Sequence, residues 1–158
     1  MSCGVALAVS LLLSDPAVAA AAAEPPAEAG APVSVAGEPL FADIVARSGE
    51  LHGLVRGWLT AGAADQADFA AGADYVSFRE RATELAALDM QGHLVLRERG
   101  TDGDLKCILR GIAEDMPKRL EAVESAASAA ERAVALDELA YLLNDNVEVI
   151  TAPPQPPV

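Results

Sequence analysis

The sequence predicts an all-α protein, and three observations support that fold class. Alanine and leucine dominate the composition, and aromatic residues make up only 4% of it. β-Branched residues seldom alternate with polar ones, as they would in half-buried strands. Apolar residues instead recur at helical spacing in four segments that are joined by short connections. We therefore expect four helices in an antiparallel up-down-up-down bundle.

The first helix is expected from about residue 38 to residue 60. Pro39 suits its first turn, where a missing backbone N–H costs nothing, and Gly62 suits its C-terminal end. Its predicted core stripe consists of Phe41, Ile44, Leu51, Val55, Trp58 and Leu59.

The second helix is expected to begin near Asp65, a favourable N-cap residue. If it continued to Arg99 it would contain about 35 residues, far more than the first helix, so we predict a break or kink near Gly92. Its predicted core side carries Tyr75, Phe78, Ala82, Leu85 and Ala86.

The third helix follows a turn at residues 100–104 and extends to about Ser125. Pro117 lies inside this helix and predicts a second kink, because proline removes a backbone donor. The fourth helix is expected to start at a capping box formed by Ser128 and Glu131. The core stripes of these two helices are Leu105, Ile108, Leu109, Ile112, Met116, Leu120 and Val123, and then Leu136, Leu139, Ala140, Leu143, Val147 and Ile150.

Composition divides the chain into four parts. Residues 1–23 have the pattern of a signal peptide, with an apolar run before alanine-rich cleavage sites, although no Lys or Arg precedes that run. Residues 24–37 form a Pro- and Ala-rich linker, residues 38–151 the bundle domain, and residues 152–158 a Pro-rich tail. We therefore expect a periplasmic or secreted protein with no stable membrane span after the leader is removed.

The net charge of -13 disfavours nucleic acid as a partner, because binding a phosphate backbone depends on Lys and Arg. On the fourth helix several acidic residues share one side with Tyr141. That side is either a solvated face or a surface that binds a basic protein. The acidic residues concerned are Glu131, Glu138, Asp145 and Glu148.

Small residues mark a candidate interface. Gly49, Gly53 and Gly57 recur every four residues opposite the core stripe of the first helix, and Cys107 and Gly111 form a second small-residue face on the third helix. The predicted partner is a second copy of the chain or another envelope protein. Three alternatives stay open: tolerated glycines, an internal contact between the stripe and the Gly92 region, and a partly buried or reactive Cys107.

The histidines are the remaining candidates for chemistry. Asp89 precedes His93 by four residues, so on one helix its carboxylate would orient the imidazole or form a local ion pair. A haem or metal site would need His52 or His93 together with Met90, Met116 or an acidic group. The sequence contains neither H-E-x-x-H nor paired C-x-x-C spacing, nor C-x-x-C-H.

We accordingly predict no catalytic residues, no metal ligands and no cofactor. The expected function is a non-enzymatic interaction or assembly role in the cell envelope. The alternative is a haem- or metal-binding bundle that transfers electrons or handles metal.

Overall fold

The computed structural model describes residues 34–100 and 103–152, and these residues contain four α-helices and no strand. The helices are α1 (Pro39–Ala61), α2 (Ala73–Arg99), α3 (Gly103–Ser125) and α4 (Ala129–Thr151). The all-α, four-helix prediction is therefore confirmed. The predicted leader, residues 24–33 of the linker and residues 153–158 of the tail lie outside the described residues. No described helix is both long and apolar enough to cross a membrane.

Each helix packs against its sequence neighbours, and α1 also packs against α4, which closes a ring of four. Along α1 and α2 the paired residue numbers run in opposite directions, since Glu38 pairs with Arg99 and Glu50 with Arg81. This reversal is what an antiparallel up-down bundle requires. The same reversal relates α2 to α3 through Tyr75 with Leu120 and His93 with Lys106, and α1 to α4 through Ser48 with Asn146 and Arg56 with Asp137.

The predicted apolar stripes form the core. Most of their members are buried, whereas Trp58, Leu59, Ala86, Leu105 and Ile108 are partly buried against the others. Val147 is half-buried and lies outside the core cluster. The fully buried large side chains include Phe41, Ile44, Leu51, Leu85, Leu109, Met116, Leu136, Leu139, Leu143 and Ile150. Burial of these stripes, at about 25 cal/mol per Å² of apolar surface, is the main force that holds the helices together.

The connection between α1 and α2 corrects the expected start of the second helix. α1 ends at Ala61 and is capped by Gly62, whose positive φ of 68° is readily accessible only to glycine. Two 3₁₀ turns follow at Ala63–Asp65 and Phe69–Ala71. α2 begins at Ala73, so the prediction of a start near Asp65 is wrong. The physical reason is tertiary: these turns bury Phe69 with its ring edge-on to Trp58, at a centroid distance of 5.2 Å.

The late start shortens α2 from the expected length of about 35 residues to 27. The helix continues through Gly92 to Arg99 without a break. Gly92 is closely packed there, since an added Cβ would lie 3.1 Å from Leu109 Cδ1 and 3.3 Å from Phe41 Cε1, and these side chains would have to shift by a few tenths of an ångström. α3 likewise continues across Pro117 without interruption.

The start of α4 confirms the predicted capping box. The Glu131 backbone N–H donates to Ser128 Oγ at 3.2 Å, and Glu131 Oε2 accepts from the Ala127 N–H at 2.8 Å. The hydroxyl and the carboxylate together satisfy two donors that the first turn would otherwise leave free.

Candidate functional site

Three polar side chains meet inside the otherwise apolar core. Ser48 from α1, Asp89 from α2 and Asn146 from α4 are each 0% exposed. They lie at core positions of their own helices, because each is spaced three or four residues from a buried neighbour such as Ile44, Leu85 or Leu143. Helical spacing alone therefore carries these polar groups into the centre. We call them the core polar cluster.

Asn146 organises this cluster. Its Nδ2 donates to Ser48 Oγ at 3.0 Å and lies 3.0 Å from both Asp89 Oδ1 and Asp89 Oδ2. One amide nitrogen with two hydrogens thus serves three oxygen acceptors. The Asn146 Oδ1 atom is buried and has no hydrogen-bond partner among the residues that the structure describes.

Burial raises the pKa of the Asp89 carboxyl to about 7, and the hydrogen bond from Asn146 lowers it only in part. Removal from water penalises the charged form, and Asn146 offers a dipole where a buried carboxylate would need a cation. The amide orientation fits an ionised Asp89. A protonated Asp89 would instead need an acceptor, which a reversed Asn146 amide would provide through Oδ1. The cluster can hold or release a proton near neutral pH, inside the core rather than at a surface.

Asp89 does not orient His93, so that prediction is wrong. The Asp89 carboxylate points to Asn146, whereas His93 Nδ1–H donates to the Lys106 carbonyl oxygen at 2.7 Å. The carbonyl can only accept, which places the shared proton on Nδ1. His93 consequently ties α2 to the first turns of α3.

The proposed haem and metal ligands differ in burial. His93 is 8% exposed, His52 and Met90 are half-buried, and Met116 is fully buried in the core. Within residues 34–100 and 103–152, no three His, Cys, Asp or Glu side chains are grouped to hold a metal ion.

The glycine stripe of α1 is open to solvent. Gly49, Gly53 and Gly57 are exposed, and a Cβ added at any of them would meet no atom within 4 Å. The predicted internal contact between the stripe and the Gly92 region is therefore wrong, because Gly92 is buried against Leu109 and Phe41 instead. Nothing in the described part of the chain requires glycine on this face.

Cys107 and Gly111 form a separate face on α3. Cys107 is exposed with a free thiol, and a Cβ at Gly111 would meet nothing within 4 Å. Both α1 and α3 pack against α2 and α4, so the two small-residue faces lie on diagonally opposed helices. They do not form one continuous surface.

The outer face of α4, which we define by Val134 and Tyr141, carries the two most exposed large hydrophobic side chains of residues 34–100 and 103–152. Tyr141 is 73% exposed and Val134 is 60% exposed. Part of the acidic side predicted here is engaged internally: Glu138 pairs with Arg119, and Glu148 accepts from Asn144 at 2.7 Å. Asp145 makes no hydrogen bond or ion pair among the described residues.

The candidate sites of this bundle are thus the buried core polar cluster and the exposed faces of α1, α3 and α4. The sequence pattern identified the exposed faces but not the cluster. The polar residues at core positions were the available indication of the cluster, but Ser48 and Asn146 were not predicted as partners of Asp89. Comparison with protein-family models, curated proteins and solved structures finds no significant match to this chain.

Proposed function

We propose that this protein is an exported, non-enzymatic helical bundle with an interaction or assembly role in the cell envelope, and that it binds a basic protein through the outer face of α4. The observation that carries the proposal is the exposure of Tyr141, at 73%, and of Val134, at 60%, on that face. The apolar run from Gly4 to Leu13 supports export.

The geometry of this face supports a protein partner. Val134 and Tyr141 are seven residues apart, about two helical turns, and project on the same side of α4. Tyrosine is enriched at interfaces because it offers a large, rigid contact area with a polar end. The neighbouring Asp145 carboxylate lacks a partner among the described side chains, and the net charge of -13 favours a partner of opposite charge over a second copy.

The experiment has a cellular and a purified stage. The full chain is expressed in its own host with a photo-crosslinking residue at position 141, or at the exposed Glu80 of α2 as a control. We expect processing of the leader and an adduct from position 141 only. The adduct partner is then purified, and its affinity is measured for the wild type and for Tyr141→Ser.

The proposal requires that the partner have a basic surface and that salt weaken the complex. Tyr141→Ser should weaken it by roughly tenfold or more, as for an interface aromatic worth more than 1 kcal/mol. Leu94→Ser, which changes an exposed leucine of α2, is the matched control and should leave affinity unchanged. Retention in the cytoplasm, the absence of an adduct, or equal affinity of Tyr141→Ser and wild type would overturn the proposal.

A further inference from the structure

A pocket of about 320 Å³ opens beside the connection between α1 and α2 and the first turn of α2. Its volume is at the lower limit of ligand pockets, which suits one small head group rather than a drug-sized molecule. The pocket is lined by Trp58, Ala63, Gln66, Asp68, Phe69, Gly72, Ala73, Asp74 and Tyr75. None of the core polar cluster residues contributes to it.

Aromatic rings form one part of the pocket wall. Trp58 is half-buried and packs with its ring edge-on to Phe69, at 5.2 Å, and tilted against Tyr75, at 6.2 Å. Tyr75 is held in place because its hydroxyl donates to the Leu120 carbonyl oxygen at 3.2 Å. The wall is therefore fixed by packing and by a hydrogen bond to α3, so a ligand need not order it.

Two carboxylates complete the pocket. Asp68 and Asp74 are exposed, and among the described residues neither makes a hydrogen bond or an ion pair. Arg132 is nearby in the structure, but it is not part of the lining: its Nη1 donates to the carbonyl oxygens of Ala64 and Gln66 at 2.6 and 2.9 Å. The carboxylates thus have no cationic partner within the described part of the chain.

We propose that this pocket binds an organic cation, with an alkylammonium or guanidinium head group. Aromatic rings attract such cations through their negative faces, and Trp58 is the most exposed of the lining rings. The exposed lining residues Asp68 and Asp74 add two formal negative charges. The cation is either a free small molecule or a Lys or Arg side chain of a protein. This site is distinct from the outer face of α4 and does not depend on the function proposed for that face.

Trp58 is the only tryptophan of the chain, so its fluorescence reports directly on the pocket. The full chain is titrated with choline and with N-acetylarginine amide. The neutral choline isostere 3,3-dimethylbutanol is the ligand control. We expect a saturable change with at least one cation, weakened by salt, and none with the neutral isostere. A response to choline alone assigns a free small cation, and a response to the arginine amide alone assigns a protein side chain.

Matched variants test the carboxylates. The double variant Asp68→Asn and Asp74→Asn should weaken cation binding by roughly tenfold, as expected for the loss of two solvent-screened charge contacts. Asp104→Asn is the control, because Asp104 and Asp74 both lie in the first turn of a helix but Asp104 is on α3, outside the pocket lining. Thermal unfolding verifies that all variants are folded.

Three results would overturn the proposal. The first is the absence of a saturable response to both cations, and the second is equal binding of 3,3-dimethylbutanol. The third is an equal loss of binding in Asp104→Asn and in the double variant, which would indicate a general effect of surface charge.

Discussion

Asn146 Nδ2 lies 3.0 Å from both carboxylate oxygens of Asp89, and this contact joins α4 to α2, which are diagonal across the bundle. Both side chains are 0% exposed. α2 and α4 share few other contacts, so this charge-assisted hydrogen bond links them through the core. A buried carboxylate with only an amide as its partner makes the stability of the bundle depend on pH.

The first prediction concerns that pH dependence. The pKa of Asp89 is about 7 in the folded protein, against an ordinary value of 3.8, so between these values the native state holds a proton that the unfolded chain has released. Stability from this group is complete below about pH 4, falls by roughly 4 kcal/mol as pH rises to about 8, and then stays constant. Asp89→Asn should remove this dependence, because its side chain is neutral throughout.

Urea unfolding of wild type and Asp89→Asn between about pH 4.5 and pH 7.5 measures the effect. Other carboxylates cancel in the difference between the two proteins. One of them is Glu38, whose pKa is lowered by its hydrogen bond from Arg99 and which therefore acts with the opposite sign. Parallel pH profiles for the two proteins would contradict the prediction.

The second prediction concerns the donor. Asn146→Ala leaves the Asp89 carboxyl without its hydrogen bond and opens a small cavity, so the free energy of unfolding should fall by about 3 kcal/mol at neutral pH. The loss should be smaller near pH 5, where Asp89 is protonated. The variant Asn144→Ala, on the same helix with only Glu148 as a partner, is the control and should change stability by less than about 0.5 kcal/mol.

A double variant separates the hydrogen bond from the cost of a buried charge. Asp89→Leu with Asn146→Leu should be more stable at neutral pH than Asn146→Ala, since apolar groups of similar volume can replace a buried polar pair without loss. If the double variant is instead the less stable of the two, the core polar cluster is a net source of stability.

The four helices were predictable because each carries a stripe of apolar residues at 3.6-residue spacing, and burial of such a stripe decides the fold class. The α1–α2 connection was not predictable from the sequence, because residues 63–72 contain no proline and are locally compatible with a helix. Their 3₁₀ turns are selected by the packing of Phe69 on Trp58, which is a contact between side chains eleven residues apart. Local propensity does not contain that information.

The core polar cluster marks a second limit of sequence reasoning. The spacing of Leu85, Asp89, Gly92 and Leu96 assigns Asp89 to a core position. Its partner, Asn146, is 57 residues away in the chain, and one sequence without an alignment cannot indicate which polar residue of α4 it meets. The sequence pattern favoured His93 as the partner of Asp89, because both residues lie on the same helix.

The third prediction uses the open face of α1. Alanine at Gly49, Gly53 and Gly57 should raise the free energy of unfolding by about 2–3 kcal/mol in total, because helix propensity improves and the added Cβ atoms meet nothing. Gly92→Ala is the contrasting variant. It should lower the free energy of unfolding by about 1 kcal/mol, since the added Cβ would crowd Leu109 and Phe41 in the core. Denaturant unfolding measures both changes.

Sedimentation at equal protein concentration then tests the interface prediction for the same stripe. If these glycines contact a second copy, the triple alanine variant should associate less than the wild type while being more stable as a monomer. A triple variant that is less stable than the wild type would contradict the open face that the structure describes.

The fourth prediction concerns Arg132, which fastens the α1–α2 connection to α4. Its Nη1 donates to the carbonyl oxygens of Ala64 and Gln66, whereas its Nε is buried and has no partner in the described ranges. Arg132→Met keeps most of the apolar stem but removes both hydrogen bonds, so the free energy of unfolding should fall by about 2 kcal/mol. Hydrogen exchange should increase at residues 62–72 and remain unchanged in the centre of α3.

Arg110→Met is the control, because its exposed side chain has only a 3.7 Å ion pair with Glu114, which contributes little to stability. If hydrogen exchange at residues 62–72 is equal in the wild type and Arg132→Met, the connection is held by the packing of Phe69 alone.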